Sequence, residues 1–315
     1  MDRDKIAAMV DRYRRQIIIA GLALFALATS IGIFEYEKLH IHSSETAPST
    51  SVVEYPATKV VRYSYLLKNN TNEVVENAVF KTYGPVEVTS SQKVKRIDAT
   101  YDYSVEKDQI GNQVMTFNLQ SIPPYGSKVI TVTAEMELAS KPNTVNERKL
   151  TEYLRSEKFI ELENKSIKDL SRRLGNVKNI PVSQTVYNWV SRNLSDAGYI
   201  QRDRGAAYAL KEKRGDCTEY MYLAVALLRN NNIPARGVAG FVVSSNGVLD
   251  ADEYHNWAEY YQDSRWHILD AQKKVFDKNY EDYIAFRIFG DKGRNMMSQS
   301  QRFFASDPRL IVRMN

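Results

Sequence analysis

The stretch Arg214-Gly215-Asp216-Cys217-Thr218-Glu219-Tyr220, running on into Met221-Tyr222-Leu223-Ala224-Val225-Ala226-Leu227-Leu228, decides the reading of this chain. It reads as a buried helix with a polar start. Asp216 is a good N-cap, and Glu219 three residues later completes a capping-box spacing, which puts Cys217 at the first helical position. There the unpaired backbone N–H groups and the positive end of the helix dipole favour thiolate over thiol. Cys217 is the only cysteine in 315 residues, so a disulfide framework and a cysteine-rich zinc site are excluded. Position alone leaves two readings, a nucleophile or a small apolar residue of the core.

The histidines favour the nucleophile. Of four, His40 and His42 lie in a polar linker, which leaves His255 and His267 in folded sequence. These two flank Tyr254-His255-Asn256-Trp257-Ala258-Glu259-Tyr260-Tyr261, a polar turn at Gln262-Asp263-Ser264-Arg265, and Trp266-His267-Ile268-Leu269-Asp270. Aromatic and aliphatic arms around a polar turn are a strand–turn–strand signature. With Gln262-Asp263 as a two-residue loop, His255 stands directly opposite Asp270. Alternation along the strand sends His267 to the other face. A thiolate, an imidazole and a carboxylate are what acyl chemistry needs: attack on a carbonyl carbon, proton transfer to the leaving amine, and a fixed imidazole tautomer. The backbone N–H of Cys217 is the natural first oxyanion donor. Trp189, Tyr199 and Tyr208 are upstream candidates for a second donor, and the sequence does not choose among them.

Several segments together resemble the transglutaminase-like superfamily: Arg214 to Glu219, Leu227-Leu228-Arg229 through Ile233-Pro234-Ala235-Arg236 to Gly240, and His255-Asn256-Trp257-Ala258-Glu259 followed by Trp266 and Asp270. The approach from Asp203 to Leu210 is similar as well. The resemblance covers residues 180–275 and implies a papain-like core whose Cys-His-Asp triad falls on Cys217, His255 and Asp270. The family's aspartate is often followed by Pro-Thr, whereas Ala271-Gln272 follows it here. The acidic calcium-site features of animal transglutaminases are absent, so no calcium dependence is carried over; no metal or other cofactor is expected.

The linking residues fit such a core. Asn230-Asn231-Asn232 tolerates the left-handed backbone that ends helices, and Pro234 blocks continuation. Val238 to Val243 reads as a buried strand. Arg236 reads as a structural ion-pair former rather than a substrate contact, Trp257 and Trp266 as core, and Glu259 as the partner of a surface cation.

The remaining sequence gives layout and location. Ile17 to Phe34 carries no charge and as a helix would span about 27 Å, the short end for crossing a bilayer. Arg3, Lys5, Arg12, Arg14 and Arg15 precede it, and Glu35, Glu37 and Lys38 follow. The positive-inside bias therefore places the N-terminus in the cytoplasm and the rest outside. Ala26-Leu27-Ala28 also has the small-x-small form of a signal-peptide cleavage site; an uncleaved anchor is preferred because apolar residues continue to Phe34.

The expected architecture is α+β, in five parts. Residues 1–16 are a cytoplasmic basic segment, 17–34 a transmembrane helix and 35–56 a flexible linker. Residues 57–140 form a small β-sandwich-like accessory domain, with strands at Lys59–Leu67, Asn77–Thr82, Lys93–Asp98, Val114–Leu119 and Lys128–Met136. Residues 141–315 form the catalytic domain, with helices over Thr144–Glu163, Ile167–Leu174 and Val182–Leu194 and a last strand at Leu310-Ile311-Val312.

The net charge of +5 arises from 43 basic and 38 acidic residues that are interleaved, so a nucleic-acid partner is not expected. The expected partners are a protein or peptide substrate and, through the N-terminal helix, the membrane. Taken together, the sequence points to an extracytoplasmic acyl-transfer enzyme that forms a thioester on Cys217 from a glutaminyl carboxamide and resolves it with an amine. Hydrolysis by a cysteine peptidase or amidase, and a non-catalytic envelope assembly module, are the alternatives.

Overall fold

Alternation of buried and exposed residues runs along β6 (Ser127–Leu138), the central strand of a sheet in which β1 (Ala57–Asn69) and β3 (Gln92–Ala99) flank it antiparallel. The computed structural model describes residues 53–290 and 302–315. A second sheet is built from β2 (Val75–Gly84), β5 (Gln113–Ile122) and β4 (Tyr103–Lys107). Val61, Tyr63, Tyr65 and Leu67 from one sheet meet Phe80, Met115 and Phe117 from the other, forming a sandwich core. Five of these strands stand where the sequence places them. Tyr103–Lys107 escaped notice because every residue but its first is exposed, so no apolar alternation marks it.

Beyond the sandwich come α1 (Lys165–Gly175), α2 (Val182–Asn193), the short strand β7 (Ser195–Asp196), α3 (Ala206–Glu212), β8 (Arg214–Gly215) and α4 (Cys217–Arg229). Then follow β9 (Ala235–Val242), β10 (Gly247–Val248), β11 (Tyr254–Gln262), β12 (Arg265–Asp270), β13 (Val275–Phe276) and β14 (Tyr283–Ile288), and finally β15 (Phe303–Ala305) and β16 (Leu310–Met314). A five-stranded sheet in the order β13-β12-β11-β9-β14 packs one face on α4. Residues 218–229 of α4 are all buried, which is the environment a helix apolar on every side requires. Asn232 takes a left-handed conformation just past its end, as the Asn-rich terminus demands.

Three strands from beyond residue 140 return to the sandwich. β16 pairs with the second half of β1, β10 runs parallel to its first half, and β15 pairs with β2. Phe241, Ile284 and Phe286 of the five-stranded sheet share the sandwich core. The described residues thus cluster as one unit, a mixed α/β architecture of several sheets and few helices.

Thr144–Glu163 corrects the expected helix: only Leu150–Leu154 forms a 3-10 turn. The apolar spacing comes from residues docking on different surfaces rather than from one helical face. Val145 is held by Ser264 and Tyr261, Tyr153 packs edge-on against Trp266, and Glu157 pairs with Arg229. The apolar run 17–34 and its flanks lie outside the described residues. Among those described, no helix is long and apolar enough to cross a membrane.

Candidate active site

The start of α4 is built as its residues demand. Asp216 Oδ1 accepts from Thr218 N at 2.8 Å and Glu219 Oε2 accepts from Asp216 N at 3.2 Å, so the capping box forms and Cys217 is the first helical residue. The second oxygens reach outward. Asp216 Oδ2 takes the Ile200 N–H and Glu219 Oε1 the Arg204 N–H, each at 2.9 Å. Both carboxylates therefore tie the 200–204 loop to the nucleophile's helix. Gly215 is required by close approach: a Cβ there would fall 2.3 Å from Glu219 Cβ. Glu219 is fully buried, and burial together with the neighbouring Asp216 charge raises its carboxyl to about 7.

Cys217 itself is half-buried. The backbone N–H of Asn256, the residue after His255, and the Thr218 side chain both favour the thiolate. Asn256 Nδ2 in turn donates to Thr218 Oγ1 at 2.8 Å. Against these, burial pushes the thiol up to about 12, helped by the Asp216 charge. Desolvation outweighs the helix terminus, so an ionised Cys217 near neutrality needs a cation beside it.

His255 and Asp270 meet, by a register different from the expected one. The two-residue turn is Asp263-Ser264, with φ of 49° and 59°, the pair of positive values that a type I′ hairpin needs. Gln262 therefore pairs with Arg265 and Ala258 with Leu269. The pairing is displaced by two residues, and His255 lies diagonal to Asp270 rather than directly opposite. A shift of two preserves the face, and His255 Nε2 stands 2.7 Å from Asp270 Oδ2. His267 faces away, with Nδ1 2.7 Å from Asp277 Oδ1 and its ring stacked on Tyr260.

Asp270 is 2 % exposed and fully engaged. Tyr283 Oη donates to Oδ2 at 2.9 Å and Lys273 N to Oδ1 at 2.9 Å. Burial and the adjacent Asp270 charge hold the Tyr283 hydroxyl far above its usual range, so it stays a donor. A carboxylate only accepts, which assigns the proton of neutral His255 to Nε2 and leaves Nδ1 as the base.

Arg236 and Glu259 form a buried pair, with Nε and Nη2 both on Oε2 at 2.9 and 2.7 Å, and the guanidinium lies 4.0 Å over Trp266. The structural reading of Arg236 holds, while the partner of Glu259 is a buried cation instead of a surface one. Trp257 and Trp266 are buried, as expected of core residues. Of the three upstream aromatics, Trp189 lies under Lys213 and Tyr208 under Arg204, while Tyr199 is 80 % exposed. Asn256, Thr218 and Tyr283 were not singled out from sequence. Asn256 had a usable signal, since it follows the site histidine on the strand that α4 packs against; Tyr283 had none.

Residues 168–271 match the family model of the transglutaminase-like superfamily. A solved structure from Cytophaga hutchinsonii, described as a candidate cysteine protease, is 14% identical, covering 82% of this chain and 92% of its own at a TM-score of 0.53. That likeness shows a shared fold. The periplasmic domain of TgpA from Pseudomonas aeruginosa is 16% identical over 70% of this chain and 90% of its own, but a TM-score of 0.37 supports no conclusion. No curated protein sequence matches. The capped cysteine helix and the strand pair bearing His255 and Asp270 both fall within residues 168–271, the segment that matches the transglutaminase-like superfamily model.

Proposed function

We propose that the protein is a cysteine acyl-transfer enzyme in which Cys217 is the nucleophile, His255 the acid–base group and Asp270 the residue that orients it. One observation carries this reading: the residues that follow Cys217 and His255 are joined, Asn256 Nδ2 donating to Thr218 Oγ1 at 2.8 Å, while His255 is joined to Asp270 at 2.7 Å. Cys217 Sγ, its proton already held on His255 Nδ1, bonds to the carbon of a glutaminyl carboxamide. The Cys217 N–H, at a helix position with no intrahelical acceptor, supports the developing oxyanion. The C–N bond breaks, the proton passes from His255 to the departing nitrogen, and ammonia leaves a thioester. A primary amine then attacks the thioester carbon and yields its proton to His255. The C–S bond breaks, and the proton returns to sulfur.

Water in place of the amine gives hydrolysis with the same groups. The Cytophaga hutchinsonii neighbour, described as a candidate cysteine protease, favours keeping that second reading. A binding module has no need of the buried Tyr283–Asp270–His255 chain, which counts against a purely structural role. The uncharged run 17–34 with its basic flank supports an anchored enzyme working outside the cytoplasm on protein or peptide substrates.

A labelled primary amine offered with envelope proteins separates the readings. Transfer predicts label incorporation that disappears in Cys217→Ala. Hydrolysis predicts unlabelled cleavage or deamidation that disappears in the same variant. Either activity persisting in Cys217→Ala contradicts the assignment.

A further inference from the structure

Arg302 comes from the far end of the chain. Its carbonyl accepts from Thr82 Oγ1 at 3.5 Å, and the next residue, Phe303, opens β15, which pairs with β2 of the sandwich. The side chain leaves the sandwich for the catalytic strand. Its guanidinium lies 4.0 Å over the ring of Tyr254, the residue before His255, and Nη1 donates to Ala251 O at 3.0 Å. Its charge is near enough to the cysteine to favour the thiolate.

What it lacks is a carboxylate. Among the described residues none lies at ion-pair distance from it. In the acidic turn alongside, Asp250 Oδ1 accepts from Asp252 N and Glu253 Oε2 from Asp250 N. Arg229, Arg236 and Arg309, by contrast, are answered by Glu157, Glu259 and Asp307. A guanidinium carries five N–H donors in a fork that fits a carboxylate. One donor is used by Ala251, and stacking on Tyr254 fixes the plane of the rest.

We infer that Arg302 is a substrate-binding residue that receives a carboxylate of the acyl donor beside the carbonyl attacked by Cys217, so that the enzyme selects acidic peptides or protein segments. This rests on the reading of Cys217 as the nucleophile, and deepens it by naming the substrate class. Delivery of the cation by a strand paired into the sandwich also gives that part of the chain a role in recognition.

Two alkylating agents of nearly the same size test this without knowledge of the natural substrate. Iodoacetate and iodoacetamide both lose iodide as a C–S bond forms on Cys217, but only iodoacetate carries a carboxylate. In Arg302→Gln the ratio of the iodoacetate to the iodoacetamide rate should fall about tenfold, the size of one charge-assisted hydrogen bond. Arg302→Lys should restore most of it. In the unaltered protein, raising the salt concentration should slow iodoacetate relative to iodoacetamide, a reading that needs no variant to fold. Peptides bearing either a free C-terminal carboxylate or a glutamate side chain with an amidated end, tested as protectants against iodoacetamide, show which carboxylate Arg302 takes. An unchanged ratio in Arg302→Gln, or equal slowing of both reagents, overturns the inference while leaving Cys217 as nucleophile. Failure of Cys217 to react with either reagent overturns the catalytic reading itself.

Discussion

In a His255→Ala variant, Cys217 should react with iodoacetamide at pH 7 about a thousandfold more slowly than in the wild type. Burial pushes this thiol up to about 12, so standing alone it is ionised at pH 7 in about one molecule in 10⁵. In the proposed mechanism His255 takes the thiol proton and holds the thiolate as an ion pair, which removes that barrier. Nucleophilicity falls as basicity falls, by roughly 0.4–0.5 of a decade per pKa unit. About five decades gained in ionisation less about two lost in nucleophilicity leaves about three. The Asn256 N–H, the Thr218 hydroxyl and the α4 terminus all remain in the variant, so the loss isolates the imidazole. The sign of the pH dependence follows. A lone buried thiol ionises as pH rises, so the variant's rate should climb about tenfold per unit from pH 7 to 9. Equal rates at pH 7 would remove His255 from the mechanism.

Replacing Asp270 with alanine should lower turnover about a thousandfold, measured as label incorporation or cleavage. Three donors converge on this carboxylate: His255 Nε2, Tyr283 Oη and Lys273 N. Without it the imidazole loses both its tautomer lock and the charge that supports its protonated form, a change worth about three to four decades in triads of this kind. The buried Tyr283 hydroxyl is orphaned as well, so a loss of about 1–3 kcal/mol in stability should accompany the kinetic effect. Asparagine does not solve the problem. With its one oxygen toward His255, its amide group confronts the Lys273 N–H; turned around, it presents donors to Nε2 and favours the wrong tautomer. Asp270→Asn should thus fall between wild type and alanine, and the two variants should separate in turnover more than in thermal stability. Full activity in Asp270→Ala would contradict the orienting role.

What was legible in the sequence was local or protected by symmetry. The head of α4 could be read because capping involves only residues 216–219. The meeting of His255 with Asp270 could be read despite a misplaced turn, because an even shift of register leaves both side chains on one face. The turn itself was misjudged because Gln262-Asp263 and Asp263-Ser264 both look polar, and only the strand twist decides which pair takes positive φ. Thr144–Glu163 misled because apolar spacing was read as one face when Val145, Tyr153 and Ile160 dock separately. Tyr283 and Arg302 could not be placed from sequence at all. Tyr283 reaches Asp270 through β14 against β9, and Arg302 reaches Tyr254 through β15 against β2; no nearby motif encodes either pairing. The electrostatic balance at Cys217 was also beyond the sequence, since it depends on how deeply the thiol is buried.

The most direct test of the account is to catch the acyl-enzyme. The protein is incubated with a glutaminyl peptide, quenched in acid, digested and weighed by mass spectrometry. The account predicts an adduct of peptide mass less ammonia on the fragment containing Cys217, released by hydroxylamine as a thioester must be and absent in Cys217→Ser. Turnover with no adduct on Cys217, together with activity surviving in Cys217→Ser, would contradict it.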